Sequence, residues 1–152
     1  GWADMPLNGD LVGKTYAPQT YEVSREKIRE FAAAVGDANP AYYEVESARS
    51  LGHPDLVAPP TFAVVVTRGP QIEVIEDPAV GLDFSRVVHG DQKFEFSRPI
   101  VAGNVLKTTV SISAAHTRAG TDFLTIRSDV RNQSGAPVVS VFATLVARAV
   151  EG

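Results

Sequence analysis

The second half of the chain runs on a two-residue rhythm. Phe94 and Phe96 share one side of a run from Lys93 to Arg98, and Leu106, Thr108, Val110 and Ile112 share one side of the next. Leu124, Ile126 and Val130 do the same in a third run, and Val139, Val141, Ala143 and Leu145 in a fourth. Period-two alternation marks strands with one face buried and one face wet. Short glycine-bearing turns separate the runs: Ala102-Gly103-Asn104, Arg118-Ala119-Gly120 and Gln133-Ser134-Gly135. The pattern predicts an antiparallel meander whose apolar face needs a cover.

The first half supplies that cover. Ser24 is a good N-cap, Glu26 suits the first turn, and Val23 with Ile28 has the spacing of a hydrophobic staple. Ile28, Phe31, Ala32 and Val35 then form one apolar stripe, and Gly36 stops the helix. A second helix is expected from Glu44 to Leu51, ended by Gly52. Val12–Tyr16 and Gln19–Val23 read as short extended pieces. Residues 60–77 stay open between strand and helix: β-branched Val64-Val65-Val66 favours one, while Pro59-Pro60 and the length to Glu76 favour the other. Helices early and an antiparallel sheet late make the fold class α+β. The expectation is one domain over residues 5–152, with Gly1–Asp4 an expression remnant ahead of Met5.

Composition narrows the function. Net charge is -4, which argues against a nucleic-acid surface. No apolar run approaches the ~20 residues of a membrane span, and no basic-then-apolar leader opens the sequence, so a cytoplasmic protein is expected. With no cysteine there is no disulfide frame, thiol nucleophile or cysteine metal site. No His/Asp/Glu spacing suits a metal, neither a phosphate loop nor a G-x-S-x-G elbow is present, and no cofactor is expected.

The candidate chemistry lies in Gly36-Asp37-Ala38-Asn39-Pro40-Ala41-Tyr42. Taken alone, Asp37 is a turn cap, since Asp and Asn bond nearby backbone and Pro40 restricts Asn39. The loop after its amphipathic helix nevertheless resembles the signature of MaoC-like (R)-specific enoyl hydratases and dehydratases. The stretch Phe94-Glu95-Phe96-Ser97-Arg98-Pro99-Ile100-Val101-Ala102-Gly103-Asn104-Val105-Leu106 is similar to a second hallmark of that family, an F-x-F strand entering a P-[IV]-x-x-G-[DN]-x-L turn. The resemblance implies a hot-dog fold: an antiparallel sheet wrapped around one long central helix, here residues 60–77, with two such units paired. It implies reversible hydration of a trans-2-enoyl thioester, with an Asp and a His five positions later activating water and a backbone N–H at the central helix start polarising the carbonyl. That chemistry needs a base for water, an acid at C2 and donors for the enolate-like oxygen.

Asp37 matches the family Asp, but the sequence departs twice. Tyr42 stands where the family has His, and a Tyr titrating near pH ~10 is a poor base at neutrality. Where active relatives carry Ala-His-Gly-Met, this chain has Ala58-Pro59-Pro60-Thr61, so Pro60 offers no N–H and Thr61 N–H is the nearest substitute. Both departures, with Tyr21–Glu30 and Ala58–Phe62, make the chain similar to the A-type substrate-binding subunit of heterodimeric (3R)-hydroxyacyl-ACP dehydratases and to FAS1-like dehydratase domains of actinobacterial type. The resemblance therefore implies an acyl-CoA or acyl-ACP thioester as ligand. It also implies a homodimer, or a heterodimer with a catalytic MaoC-like subunit. The residues assigned to substrate binding are Asn39, Pro60, Thr61 and Phe62. The alternatives are a self-sufficient hydratase using Asp37 with Tyr42 or His89, and a non-enzymatic acyl-thioester binding module. His89 and Asp91 sit two apart on one side of a predicted strand start, with a solvated strand end as the simpler reading. His53 reads as a loop residue and His116 as a hairpin-end residue. Arg68, Arg86, Lys93 and Arg98 are candidates for a basic patch facing an acidic carrier.

Overall fold

A computed structural model describes residues 7–148, with the His89 side chain outside the description. Residues 1–4, expected to be a remnant, also lie outside it.

Among the described residues three α-helices and five strands follow in order: β1 (Gln19–Glu22), α1 (Arg25–Ala34), α2 (Val45–Ser50), α3 (Ala63–Glu76), β2 (Val87–Phe96), β3 (Val105–Arg118), β4 (Thr121–Arg131) and β5 (Pro137–Arg148). The strands make one antiparallel sheet in the order β1-β3-β4-β5-β2. It curls around α3, the hot-dog arrangement, and settles residues 60–77 as helix: a 3-10 turn at Pro60–Phe62 runs into α3. α3 buries Ala63, Val66, Thr67, Pro70 and Val74 against the sheet. Its outer side mixes Val64 and Ile72 with Arg68, Glu73 and Glu76, all exposed, so no clean apolar stripe marks the helix and pattern alone left its type open.

The alternation holds in detail. Leu106, Thr108, Val110 and Ile112 of β3 are buried, as are Leu124, Ile126, Ser128 and Val130 of β4 and Val139, Val141 and Ala143 of β5. The simple meander is corrected at one point: β2 does not pair with β3, its neighbour in sequence, but with β5 at the far edge. The reason lies in the connection. Pro99 cannot donate to a ladder, and the next residues leave the sheet to pair elsewhere, Val101 bridging to Val57. His89 and Asp91 consequently lie inside a ten-residue strand rather than at its start. Val12–Tyr16 forms only the single bridge Thr15–Ser111.

Ser24 caps α1, its Oγ accepting from Lys27 N at 3.1 Å. Ile28 and Ala32 are fully buried, but Val35, the last position of the predicted stripe, is 53% exposed because the helix ends there.

The core has two parts. One cluster gathers Ile28, Leu56, Phe62, Val66, Leu106, Val130 and Val141; the other gathers Leu11, Val74, Val110, Ile112, Ile126 and Ala143. Between them α3 contributes Thr67, β3 contributes Thr108 and β4 contributes Ser128, all buried. Thr67 Oγ1 donates to the Ala63 carbonyl at 2.8 Å, while Thr108 Oγ1 and Ser128 Oγ have no partner among the described residues. A polar seam thus divides the apolar interior.

Candidate functional site

The loop after α1 is fixed by its own backbone. Gly36, at φ +72, lets Asp37 N donate to the Ala32 carbonyl at 2.9 Å and Gly36 N to the Ala33 carbonyl at 3.1 Å, a paired closure that ends helices on a left-handed residue. Two side-chain caps then turn the chain. Asp37 Oδ1 accepts from Asn39 N at 3.1 Å, and Asn39 Oδ1 accepts from Ala41 N at 3.1 Å to open a 3-10 turn at Pro40–Tyr42. The Tyr43 hydroxyl donates to the Asp37 carbonyl, and Arg29 Nε to the Tyr43 carbonyl at 2.9 Å, so the loop is laced back onto α1.

The start of the central helix is strapped to this loop. Val57 N donates to Ala41 O at 3.2 Å, Ala58 N to Ile100 O at 2.8 Å, and Ala102 N to Leu56 O at 2.9 Å. Phe62 then drops into the core, 0% exposed, with Tyr21 and Phe31 edge-on at 6.1 and 5.5 Å.

These straps leave a cleft of about 500 Å³ between the loop, the end of α2, the helix start and the segment after β2. Ala41, Leu51, Val57, Ala58, Phe96, Pro99 and Ile100 give it apolar walls; Asn39, Tyr42, His53, Ser97 and Arg98 give it polar points; and Pro60 forms part of the wall. Size and lining suit a small organic ligand with a long apolar portion.

Of the residues singled out in the sequence, Asn39, Tyr42 and Pro60 come together in this wall. Asp37, Thr61 and Phe62 are not part of its lining. Asp37 is exposed, with one carboxylate oxygen engaged in its own turn. Its charge still reaches Tyr42. Burial first, and then the Asp37 charge, push the Tyr42 phenol above its ordinary value, against a lowering contact from Asn39. Tyr42 is therefore a neutral hydroxyl at physiological pH, able to donate but not to deprotonate water. The backbone of His89 pairs with Val146 in β2, and its side chain lies outside the described residues. His116 stacks on Phe123 at 4.9 Å, at the far end of the β3–β4 hairpin. Among the described residues no cluster of three or more His, Cys, Asp or Glu could hold a metal.

Sequence reasoning passed over Leu51 and His53 as cleft residues. Their own neighbourhood shows only a helix ending at Gly52; what carries them to the site is the 56–58 strap, a long-range pairing with no local signature. Arg98, read only as a carrier-facing cation, also belongs to the cleft.

The sequence pattern of the FAS1-like dehydratase domain region matches residues 10–141. The chain belongs to this family of FAS1-like dehydratase domains. As such a domain it is 55% identical to a UPF0336 protein of Streptomyces coelicolor over 148 residues, 97% of this chain and 99% of that one. Among solved structures, the HadBC (3R-hydroxyacyl-ACP dehydratase) complex of Mycobacterium tuberculosis contains a chain 32% identical to it, with a TM-score of 0.80 over 91% of this chain and 98% of that one. The R-hydratase PhaJ1 of Pseudomonas aeruginosa, 23% identical, shares the fold of this dehydratase domain at a TM-score of 0.64, covering 91% of this chain and 83% of that one.

Proposed function

We propose that this chain is the acyl-thioester-binding subunit of a (3R)-hydroxyacyl thioester dehydratase of the cytoplasm, and that it relies on a catalytic partner of the same fold for proton transfer. One observation carries the reading: the cleft wall has Tyr42 and Pro60 at the positions where the family signature has a base and an N–H donor, and no carboxylate among the described residues lines it. Addition of water to an enoyl thioester needs a base for the water and donors at the developing oxyanion. A neutral phenol cannot serve as the first, and a proline nitrogen cannot serve as the second. What remains is an apolar trough with a few hydrogen-bonding points, suited to holding an acyl chain on CoA or acyl carrier protein. Similarity to a chain of the HadBC complex supports work alongside a second chain.

The test is hydration of crotonyl-CoA, followed by loss of the enoyl absorbance. The purified chain is assayed alone and then with a MaoC-like chain that carries an intact Asp/His pair. Turnover only in the mixture supports the reading, and robust turnover by the chain alone refutes it. A self-sufficient hydratase is the second reading, favoured by the influence of the Asp37 charge on Tyr42; it requires activity alone that Asp37→Asn abolishes. Thioester binding without turnover in either assay would leave a non-enzymatic acyl-thioester module.

A further inference from the structure

Two tyrosines follow one another in the loop after α1, and they use their hydroxyls differently. Tyr43 donates to the Asp37 carbonyl and laces the loop to itself. The Tyr42 ring is half-buried, packs against the core cluster that holds Phe62, and forms part of the cleft wall. With the body of the ring against the core, the polar end is the part left to the cleft. That hydroxyl donates to no group among the described residues.

The turn gives Tyr42 a neighbour. Asn39 caps the 3-10 turn at Pro40–Tyr42, and in such a turn the side chains at i and i+3 lie over one another. Asn39 and Tyr42 are such a pair, and both line the cleft. Asn39 Oδ1 is engaged by Ala41 N at 3.1 Å, so the Asn39 group that meets the phenol oxygen is its amide nitrogen, a donor. The phenol oxygen thus accepts from Asn39 and keeps one O–H to give. Burial, and then the Asp37 charge, hold that proton on the oxygen. A hydroxyl that already accepts a hydrogen bond is the stronger donor.

We propose that the Tyr42 hydroxyl, backed by Asn39, donates to the 3-hydroxyl oxygen of a (3R)-hydroxyacyl thioester, so that the chain binds this form in preference to the enoyl form. This rests on the cleft being an acyl-thioester site and adds which acyl form the site holds. Elimination of water removes that oxygen, so the enoyl product is held less tightly than the hydroxyacyl substrate.

Position selects the oxygen. Tyr42 stands where the family signature has the residue that handles water, and the oxygen of that water is the one carried at C3. Pro60 stands where the signature has the donor to the carbonyl, and it offers no N–H. An enoyl or saturated chain has no oxygen at C3. It leaves the phenol O–H without an acceptor beside Ala41, Val57 and Ala58, and a desolvated donor without a partner is costly. A site that hydrogen-bonds a hydroxyl discriminates for this reason against the analogue that lacks it. Ser97 and Arg98, also polar points of the cleft, are exposed, where water competes for the same bonds.

Calorimetric titration of the purified chain with (3R)-3-hydroxybutyryl-CoA, crotonyl-CoA and butyryl-CoA reads the preference. Butyryl-CoA cannot be hydrated or dehydrated, so its comparison with the hydroxy form does not depend on turnover. The hydroxy form is expected to bind about threefold to tenfold tighter than either of the others, the effect of one hydrogen bond. Tyr42→Phe keeps the ring against the core and should bring the three affinities within about twofold, by weakening the hydroxy form alone. Asn39→Asp keeps the cap on Ala41 N but puts an acceptor where the amide donor stood; that oxygen takes the phenol proton, and the preference should be lost again. Equal affinity of the wild-type chain for (3R)-3-hydroxybutyryl-CoA and butyryl-CoA would overturn the proposal. So would a Tyr42→Phe variant that binds all three less tightly, since the hydroxyl would then meet a group they share. In both of those cases thioester binding itself stands. No binding of any of the three would overturn the proposal together with the reading of the cleft on which it rests.

Discussion

Replacing Phe62 with Leu tests whether this residue anchors the cleft or touches its ligand. Phe62 is fully buried and receives two edge-on rings, Tyr21 at 6.1 Å and Phe31 at 5.5 Å. Each such pair is worth about 0.5–1.5 kcal/mol beyond area burial, so losing both costs about 1–3 kcal/mol. The smaller side chain leaves a partly relaxed gap that adds about 1 kcal/mol. The sum, about 2–4 kcal/mol, is a large part of the ~5–15 kcal/mol that holds a domain folded. In urea the midpoint should fall with an unchanged slope, and the melting temperature should drop by about 2–4 °C for each kcal/mol lost. Affinity for an acyl thioester, measured well below the melt, should be unchanged, because the ring lies outside the cleft lining. A loss below about 0.5 kcal/mol would refute the anchoring argument, since even one ring contact is worth that much. Weakened binding at unchanged stability would instead place Phe62 in the binding surface.

Three further expectations follow. Asp77, at the end of α3, accepts from Lys14 Nζ at 2.6 Å, the Tyr16 hydroxyl at 2.7 Å and Ala79 N at 2.9 Å, and these bonds, Lys14 first, lower its pKa to about 2. Its folded value lies below the unfolded one, so its contribution is present above pH ~4 and is lost as pH falls toward 2; the urea-midpoint difference between the wild type and Asp77→Asn should shrink across that window, and a constant difference would contradict the assignment. Thr108→Val removes a buried hydroxyl that lacks a partner and should leave stability unchanged or raise it by up to about 1 kcal/mol; a loss above 1 kcal/mol in urea unfolding would show that the hydroxyl is bonded. Tyr42→His with Pro60→Gly returns an imidazole and an N–H to the cleft wall and should raise crotonyl-CoA hydration by the chain alone by about 100-fold over either single variant; no gain would mean that these positions do not face the reacting carbons.

The strands, their faces and the caps of α1 were legible because each depends on residues within a few positions of one another: the alternation of Leu106 to Ile112, the Ser24 hydroxyl above Lys27, the left-handed Gly36. Central-helix type was not legible from periodicity, since the exposed side of α3 mixes Val64 and Ile72 with Arg68, Glu73 and Glu76; only resemblance to a family resolved it. The placement of β2 beside β5 was missed because the turn after it looks like a hairpin and acts as a crossover. The cleft was half legible. Asn39 matches a family motif and Tyr42 and Pro60 stand at motif positions where this chain departs from it, while Leu51 and His53 reach the wall through backbone bonds between Leu56–Ala58 and Ile100–Ala102 that no local pattern announces. Asp37 shows the reverse case: its motif is clear, yet it lies outside the cleft lining, with one carboxylate oxygen engaged in its own turn.

Thr67, Thr108 and Ser128 give the molecule an internal partition. On α3, β3 and β4 these residues stand between the positions that feed one apolar cluster and those that feed the other. Substitutions around Leu11, Val74 and Ile112 and substitutions around Leu56, Phe62 and Ile100 then act on separate clusters, and their effects add rather than couple. The end that carries the cleft can vary its walls to suit a different ligand while the other end, with the N-terminal segment tied to Asp77, goes on holding the sheet around the helix.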